Sequence, residues 1–177
     1  VADLPDDCFA YLLGSRYCET DRLSQTAWDL FGAVPPGWGR VQAICDYVHN
    51  HLAFDYMNAR ATRTAMEAYV EKIGVCRDFA HVVVALARAS SIPARFVSCY
   101  APDVQPQDFH AVAEVFLADP GGEDANIGSW HLIDATGMAT PAEIVKIGLG
   151  RDAADVSFLT CYGMAALQAK NISVTRG

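Results

Sequence analysis

Between Asp21 and Leu52 apolar residues return every three or four positions. Leu23, Ala27, Leu30 and Phe31 make a first set that ends at Gly32 and the Pro35-Pro36-Gly37 break. Val41, Ile44, Cys45, Val48 and Leu52 make a second, with Gln42, Asp46 and Asn50 on the opposite side. The spacing predicts two amphipathic helices joined by a loop. Ahead of them, residues 1–15 show no sustained period and read as a lead-in segment. Thr64 followed by Glu67 forms a capping box, which starts a short helix that Gly74 is expected to close. From Cys76 to Ala89 the run is apolar almost all the way round, with three successive valines that also suit a strand. Its length before the Ser90-Ser91-Ile92-Pro93 stop favours a helix, one buried on most sides.

After Pro93 the texture changes to short β-rich runs: Arg95 to Tyr100, His110 to Ala118 and Ser129 to Asp134, with Asp119-Pro120-Gly121-Gly122 connecting the last two. These are expected to be antiparallel strands. Thr140-Pro141-Ala142-Glu143 reads as a second capping box with a short helix after it. Val156 to Tyr162 and Asn171 to Thr175 are expected to close the chain as strands. Helices followed by sheet predict an α+β domain, and the 177 residues suit a single domain able to bury about 70% of its unfolded surface.

Charge narrows the function. Twenty-one acidic against 13 basic residues give a net charge of −8, which argues against nucleic acid or an anionic membrane as partner. No apolar run reaches the roughly 18 residues of a membrane span, so no membrane insertion is expected. The first residues lack the layout of a signal peptide, although a secreted form with its signal removed would look the same. The six cysteines include no C-x-x-C pair, so free thiols in a reducing cytoplasm are expected.

One cysteine stands at a chemically special place. A thiol attacks as its thiolate, which a helix N-terminus favours, and Cys76 opens the apolar helix just after Gly74, with Arg77 beside it adding positive potential. The free N–H groups of that first turn are also candidates for an oxyanion hole. His110, starting a strand, is the candidate base. Asp134, ending the next strand, is the candidate to hold the imidazole by its second nitrogen. Asp108 is the rival, but on the same strand as His110 it would have to fold back. Tyr56 is a candidate side-chain donor to the oxyanion, with the groove wall or the core as its alternative places.

The runs Gly74-Val75-Cys76-Arg77-Asp78-Phe79-Ala80-His81, Ile92-Pro93-Ala94-Arg95, Asp108-Phe109-His110-Ala111 and Ile133-Asp134-Ala135-Thr136 resemble the bacterial transglutaminase-like family, often described as candidate cysteine proteases. The resemblance extends to Ser15-Arg16-Tyr17-Cys18 and to Gly150–Val156, so it covers most of the chain. It implies a papain-like core, with the nucleophile helix packed on an antiparallel sheet that bears the histidine and aspartate. It also implies amide chemistry through a thioester, by a peptidase or amidohydrolase or by a protein-glutamine acyltransferase, and a peptide or protein substrate. Family members commonly carry a β-rich domain ahead of this core, and whether one belongs here stays open. Two departures stand out: Val112-Ala113 where the family usually has Trp and an aromatic, and Ala135 where it has Pro. The acyl-binding groove is therefore expected to differ.

Plainer roles suit the other residues. Cys8, Cys18, Cys45, Cys99 and Cys161 read as small buried hydrophobes. His81 lies about 140° round the helix from Cys76 and reads as a core residue. His49 and His51 point to different sides, so no metal site is expected there, and no cofactor. Asp78 suits the helix dipole, and Arg151, Asp152 and Asp155 an ion-paired turn. Two other functions remain: a catalytically silent papain-like binding or scaffold module, favoured by the lost aromatics after His110, and a redox sensor with Cys99 as resolving thiol.

Overall fold

The structure, a computed structural model, describes residues 4–118, 128–160 and 162–176. The two amphipathic stripes fold as α1, Thr20–Phe31, and α2, Trp38–His51, and bury Leu23, Ala27 and Phe31 and Val41, Ile44 and Val48. Leu30, counted with the first stripe, instead faces solvent. The lead-in segment contains a 3-10 turn, Asp6–Tyr11, that buries Cys8. A short strand β1, Ala53–Phe54, follows α2, and then α3, Ala65–Glu71, begins at the predicted capping box. Glu67 N–H donates to Thr64 Oγ1 at 3.3 Å and Thr64 N–H to Glu67 Oε2 at 3.0 Å. Lys72, in the left-handed region at φ 58°, closes α3 rather than Gly74, which lies in a second short strand, β2, Ile73–Gly74.

α4 runs Cys76–Ala89, the bounds expected, and every residue from Asp78 to Arg88 is buried. It packs against α1, α2 and α3 on one side and the sheet on the other. That is why its sequence shows no polar face. The sheet has order β5-β4-β3-β6, all antiparallel: β3 is Ala94–Tyr100, β4 His110–Ala118, β5 Gly128–Ile133 and β6 Val145–Gly150. The alternate residues Ala94, Ala113, Val115 and Ile133 join the core around α4, while Val97, Cys99 and Val112 form a smaller cluster.

The C-terminal expectations need correcting. Thr140 makes no capping bond, its hydroxyl donating to Asp103 Oδ2 at 3.0 Å, and only a 3-10 turn, Pro141–Glu143, follows. The fourth strand is 145–150, which takes the free edge of β3, and the described residues of the two expected strands, 156–160, 162 and 171–175, are not in strands. Residues 151–155 fold back in a turn, with Arg151 N–H and Nε both donating to Asp155 Oδ2 at 2.9 Å, and Val156 packs beside Ala80, Phe96 and Ala111 instead of extending a ladder. Val174 is held by the Gln107 side chain, which accepts from its N–H at 2.9 Å and donates to its carbonyl at 2.5 Å. The Asp119–Gly122 connection and Cys161 lie outside the described residues.

Two buried polar side chains of α4 tie this turn to the body. Arg88 donates to the carbonyls of Ala94 (2.9 Å), Leu13 (2.9 Å) and Arg151 (2.7 Å) and to Ser15 Oγ (3.3 Å). His81 Nε2 accepts from Ala153 N–H at 3.1 Å, and its ring stacks on Tyr17. Asp152, buried in the turn, accepts from Tyr17 N–H at 2.8 Å. Burial first, then the charge of Arg77, pushes the His81 pKa down to about 3. Between pH 6.5 and 3 the unfolded chain therefore takes up a proton that the folded chain refuses, and stability falls with pH through that window. From pH 6.5 to 5 the expected loss is about 1.6 kcal/mol, the slope rising from half of about 1.4 kcal/mol per unit at pH 6.5 toward its full value. In urea titrations His81→Gln should lose less than half as much over the same interval; an equal loss in both proteins would rule His81 out as the cause.

Candidate active site

The start of α4 is built by its neighbours. β1 pairs in parallel with β2, Ala53 opposite Ile73 and Phe54 opposite Gly74, and Asp55 N–H donates to Gly74 O at 2.9 Å. A Cβ on Gly74 would stand 2.6 Å from the Asp78 Cβ, so only glycine lets Asp78 fold back over the chain. The Asp78 carboxylate accepts from Val75 N–H at 3.0 Å, Arg63 Nη1 at 3.1 Å and Arg77 Nη2 at 3.1 Å. It caps the helix, and two guanidinium groups balance its charge beside the thiol.

His110 opens β4 and Asp134 follows the last residue of the neighbouring β5. His110 Nε2–H donates to Asp134 Oδ2 at 3.0 Å, with both side chains almost fully buried. Cys76 stands beside the imidazole, and both line the same cleft. Thr136 N–H (2.9 Å) and Oγ1 (2.6 Å) fix Asp134 Oδ1, and Ala139 N–H (2.9 Å) shares Oδ2 with the imidazole. Burial opposes the charged form of His110, but the hydrogen bonds and charges of Asp134 and Cys76 outweigh it and raise the pKa to about 9. Burial would likewise raise the Asp134 pKa, and the bonds from His110 and Thr136 lower it instead. The rival Asp108 is turned away, paired with Lys170 and accepting from Phe109 N–H at 2.7 Å.

Cys76 and His110 line a cleft of about 610 Å³. Its walls are Phe96, Phe109, Val156, Phe158 and Leu159, with Tyr17, Arg60 and Arg77 at the other side. Arg77 spends its guanidinium on the carbonyls of Arg60 (2.8 Å), Ala61 (2.5 Å) and Arg63 (2.9 Å) and on Asp78, which holds the rim formed by residues 60–63. Tyr56 is half exposed, its ring edge-on to Phe54. Burial, then the charges of Cys76 and Asp108, push its hydroxyl pKa up, so it stays a proton donor, although it is not among the residues that line the cleft. Tyr17, Phe109, Phe158 and Leu159 were not legible as parts of a site. The resemblance at Ser15–Cys18 and Gly150–Val156 was the one signal that these distant segments meet.

The other candidates have local explanations. His49 Nδ1–H donates to Ala135 O at 2.9 Å and His51 Nε2–H to Tyr69 O at 2.8 Å. Among the described residues no group of three or more His, Cys, Asp or Glu is placed to hold a metal ion. Cys8, Cys18, Cys45, Cys76 and Cys99 are free. Cys99 is buried with its thiol on His110 O at 3.5 Å, and burial, then the charges of Cys76 and Asp134, push its pKa up to about 12. That makes it a poor resolving thiol. No helix of the described residues is long and apolar enough to cross a membrane.

Known structures share this fold. A candidate cysteine protease from Cytophaga hutchinsonii is 38% identical with a TM-score of 0.81, over 88% of this chain and 51% of that one. The chain thus spans about half the length of that protein. The periplasmic domain of TgpA from Pseudomonas aeruginosa, bound to ethylmercury, is 22% identical with a TM-score of 0.55, covering 76% of this chain and 50% of that one. LapG from Legionella pneumophila is 15% identical with a TM-score of 0.50, covering 79% and 84%. The last two show likeness of fold alone. No curated protein matches the chain at a significant level. The profile of the Transglutaminase-like superfamily matches residues 25–135, a span that holds Cys76, His110 and Asp134. With that profile over more than half its length, and a fold shared with a 38% identical relative, the chain belongs to the transglutaminase-like superfamily.

Proposed function

We propose that this chain is a cysteine acyl-transfer enzyme that hydrolyses peptide-type amides through a thioester on Cys76. The observation that carries the reading is the convergence of Cys76, His110 and Asp134, with His110 Nε2 at 3.0 Å from Asp134 Oδ2, Cys76 beside the imidazole and the sulfur at the start of α4. An imidazole held protonated at neutral pH supplies the counter-charge a thiolate needs. The Cys76 thiolate attacks the amide carbonyl, and the oxyanion is met by first-turn N–H groups of α4 and the Tyr56 hydroxyl. The C–N bond breaks as His110 gives its proton to the leaving amine, leaving a Cys76 thioester. Water then attacks, His110 takes its proton, and the acid and free thiol are released. Asp134 holds the ring for both transfers. The same site would pass the acyl group to an amine if one replaced water, so the assignment to hydrolysis leans on the likeness to the Cytophaga protein. The free cysteines suit a reducing compartment, and we place the protein in the cytoplasm on that ground.

The test uses a pool of internally quenched peptides with wild-type protein and Cys76→Ala, with and without millimolar primary amine. Cleavage that vanishes in Cys76→Ala, and products that remain free acids in the presence of amine, are expected. Amine-capped products would turn the reading to transfer, and cleavage unchanged by Cys76→Ala would remove Cys76 from the chemistry.

A further inference from the structure

Resting on that reading, the geometry points to the class of acyl donor: we propose that the cleft beside Cys76 is a subsite for a large apolar side chain of the substrate, aromatic by preference, with Phe109, Phe158 and Leu159 setting the specificity. The rings of Tyr100, Phe109 and Phe158 form a stack, with centroids 5.4 Å and 4.9 Å apart and planes within about 30°. The stack ends at the cleft, because Phe109 precedes His110 in the chain and both line it. Phe158 is 60% exposed and Leu159 49%, so apolar surface is left open within reach of the nucleophile. Phe96, Ala111 and Val156 continue that surface inward.

Charge points the same way. No carboxylate side chain lines the cleft among the described residues, so a basic substrate side chain finds no partner there. The lining cations are committed: the His110 imidazolium is held by Asp134. Arg77 is spent on three backbone carbonyls and Asp78, and Arg60 pairs with Glu67 at 3.0 Å and Glu71 at 2.9 Å. An acidic side chain therefore also lacks a free counter-charge, and the net charge of −8 disfavours its approach. The wall is also held in place in the free protein. Ala153 N–H donates to His81 in α4, Ser157 Oγ donates back to Ala153 O at 3.1 Å, and the Phe158 ring rests on Phe109.

N-acetyl aminoacyl chloromethyl ketones of Phe, Leu, Gly, Gln, Glu and Lys carry the side chain to Cys76, and iodoacetamide carries none. Second-order alkylation rates at Cys76, read by mass spectrometry, are expected to be at least about tenfold higher for Phe and Leu than for Gln, Glu or Lys. Phe158→Ala, at an exposed position, should bring the preference of the Phe over the Gly reagent below about threefold. Rapid iodoacetamide labelling with Gln, Glu or Lys reagents as fast as Phe, or a Phe preference untouched by Phe158→Ala, overturns the subsite alone. A Cys76 that iodoacetamide does not single out overturns the acyl-transfer reading, and the subsite with it.

Discussion

His110→Ala is expected to lower kcat/KM for amide cleavage by about a thousandfold or more while the protein stays folded. In the proposed mechanism the imidazole is the proton carrier in both half-reactions and the counter-charge of the thiolate, so its loss removes functions that nothing nearby replaces. Asp108 is held by Lys170, and Cys99 is a protonated thiol against the His110 carbonyl. Asp134 keeps three of its donors, Thr136 N–H, Thr136 Oγ1 and Ala139 N–H, so the substitution does not strand a bare buried carboxylate. Stability carries a second signature. With its folded pKa raised to about 9, His110 contributes stability that is fully present below about pH 6.5 and lost as pH rises through 9. The stability difference between wild type and His110→Ala should therefore be larger at pH 6 than at pH 9.5 in urea titrations. Activity within tenfold of wild type would remove His110 from the mechanism.

Arg88→Ala is expected to be the most destabilising change outside the site, by about 3–5 kcal/mol. The side chain is 3% exposed, and truncation leaves the carbonyls of Leu13, Ala94 and Arg151 without their donor. It also leaves a cavity beside the last turn of α4. Such a loss is a large part of the 5–15 kcal/mol by which domains are stable, and in a chain of this size it corresponds to a drop of about 6–20 °C in melting temperature. The damage should reach function, because Arg88 anchors both the segment that leads to Tyr17 and the turn that leads to Phe158. A melting temperature within about 2 °C of wild type would show that the carbonyls find water or other donors.

The elements that position the nucleophile were legible because each rests on a local rule. The apolar run after Gly74 fixed α4 at Cys76–Ala89, and the texture change at Pro93 marked β3 and β4. The capping box at Thr64 formed as read, whereas the same pattern at Thr140 leads only to the 3-10 turn Pro141–Glu143, with the Thr140 hydroxyl donating to Asp103. Order along the chain and placement on adjacent strands singled out Cys76, His110 and Asp134. The C-terminal quarter was not legible, because its structure depends on partners far away in sequence. Residues 145–150 form a strand through the free edge of β3, and the apolar residues from Val156 to Leu159 wall the cleft because the turn before them is bound to His81, Arg88 and Tyr17. Gly74 shows the same limit: the sequence suggested a helix stop, and the requirement is room for Asp78.

The central claim is that Cys76 is an activated nucleophile, and alkylation by iodoacetamide at pH 7 tests it most directly. Burial shields Cys8, Cys18 and Cys99, so the demanding comparison is with a small model thiol under the same conditions. The account predicts that Cys76 reacts at least about tenfold faster than the model thiol and that His110→Ala abolishes the excess. A Cys76 that reacts no faster than the model thiol, with a rate indifferent to His110, would contradict it and favour a catalytically silent binding module on the same fold.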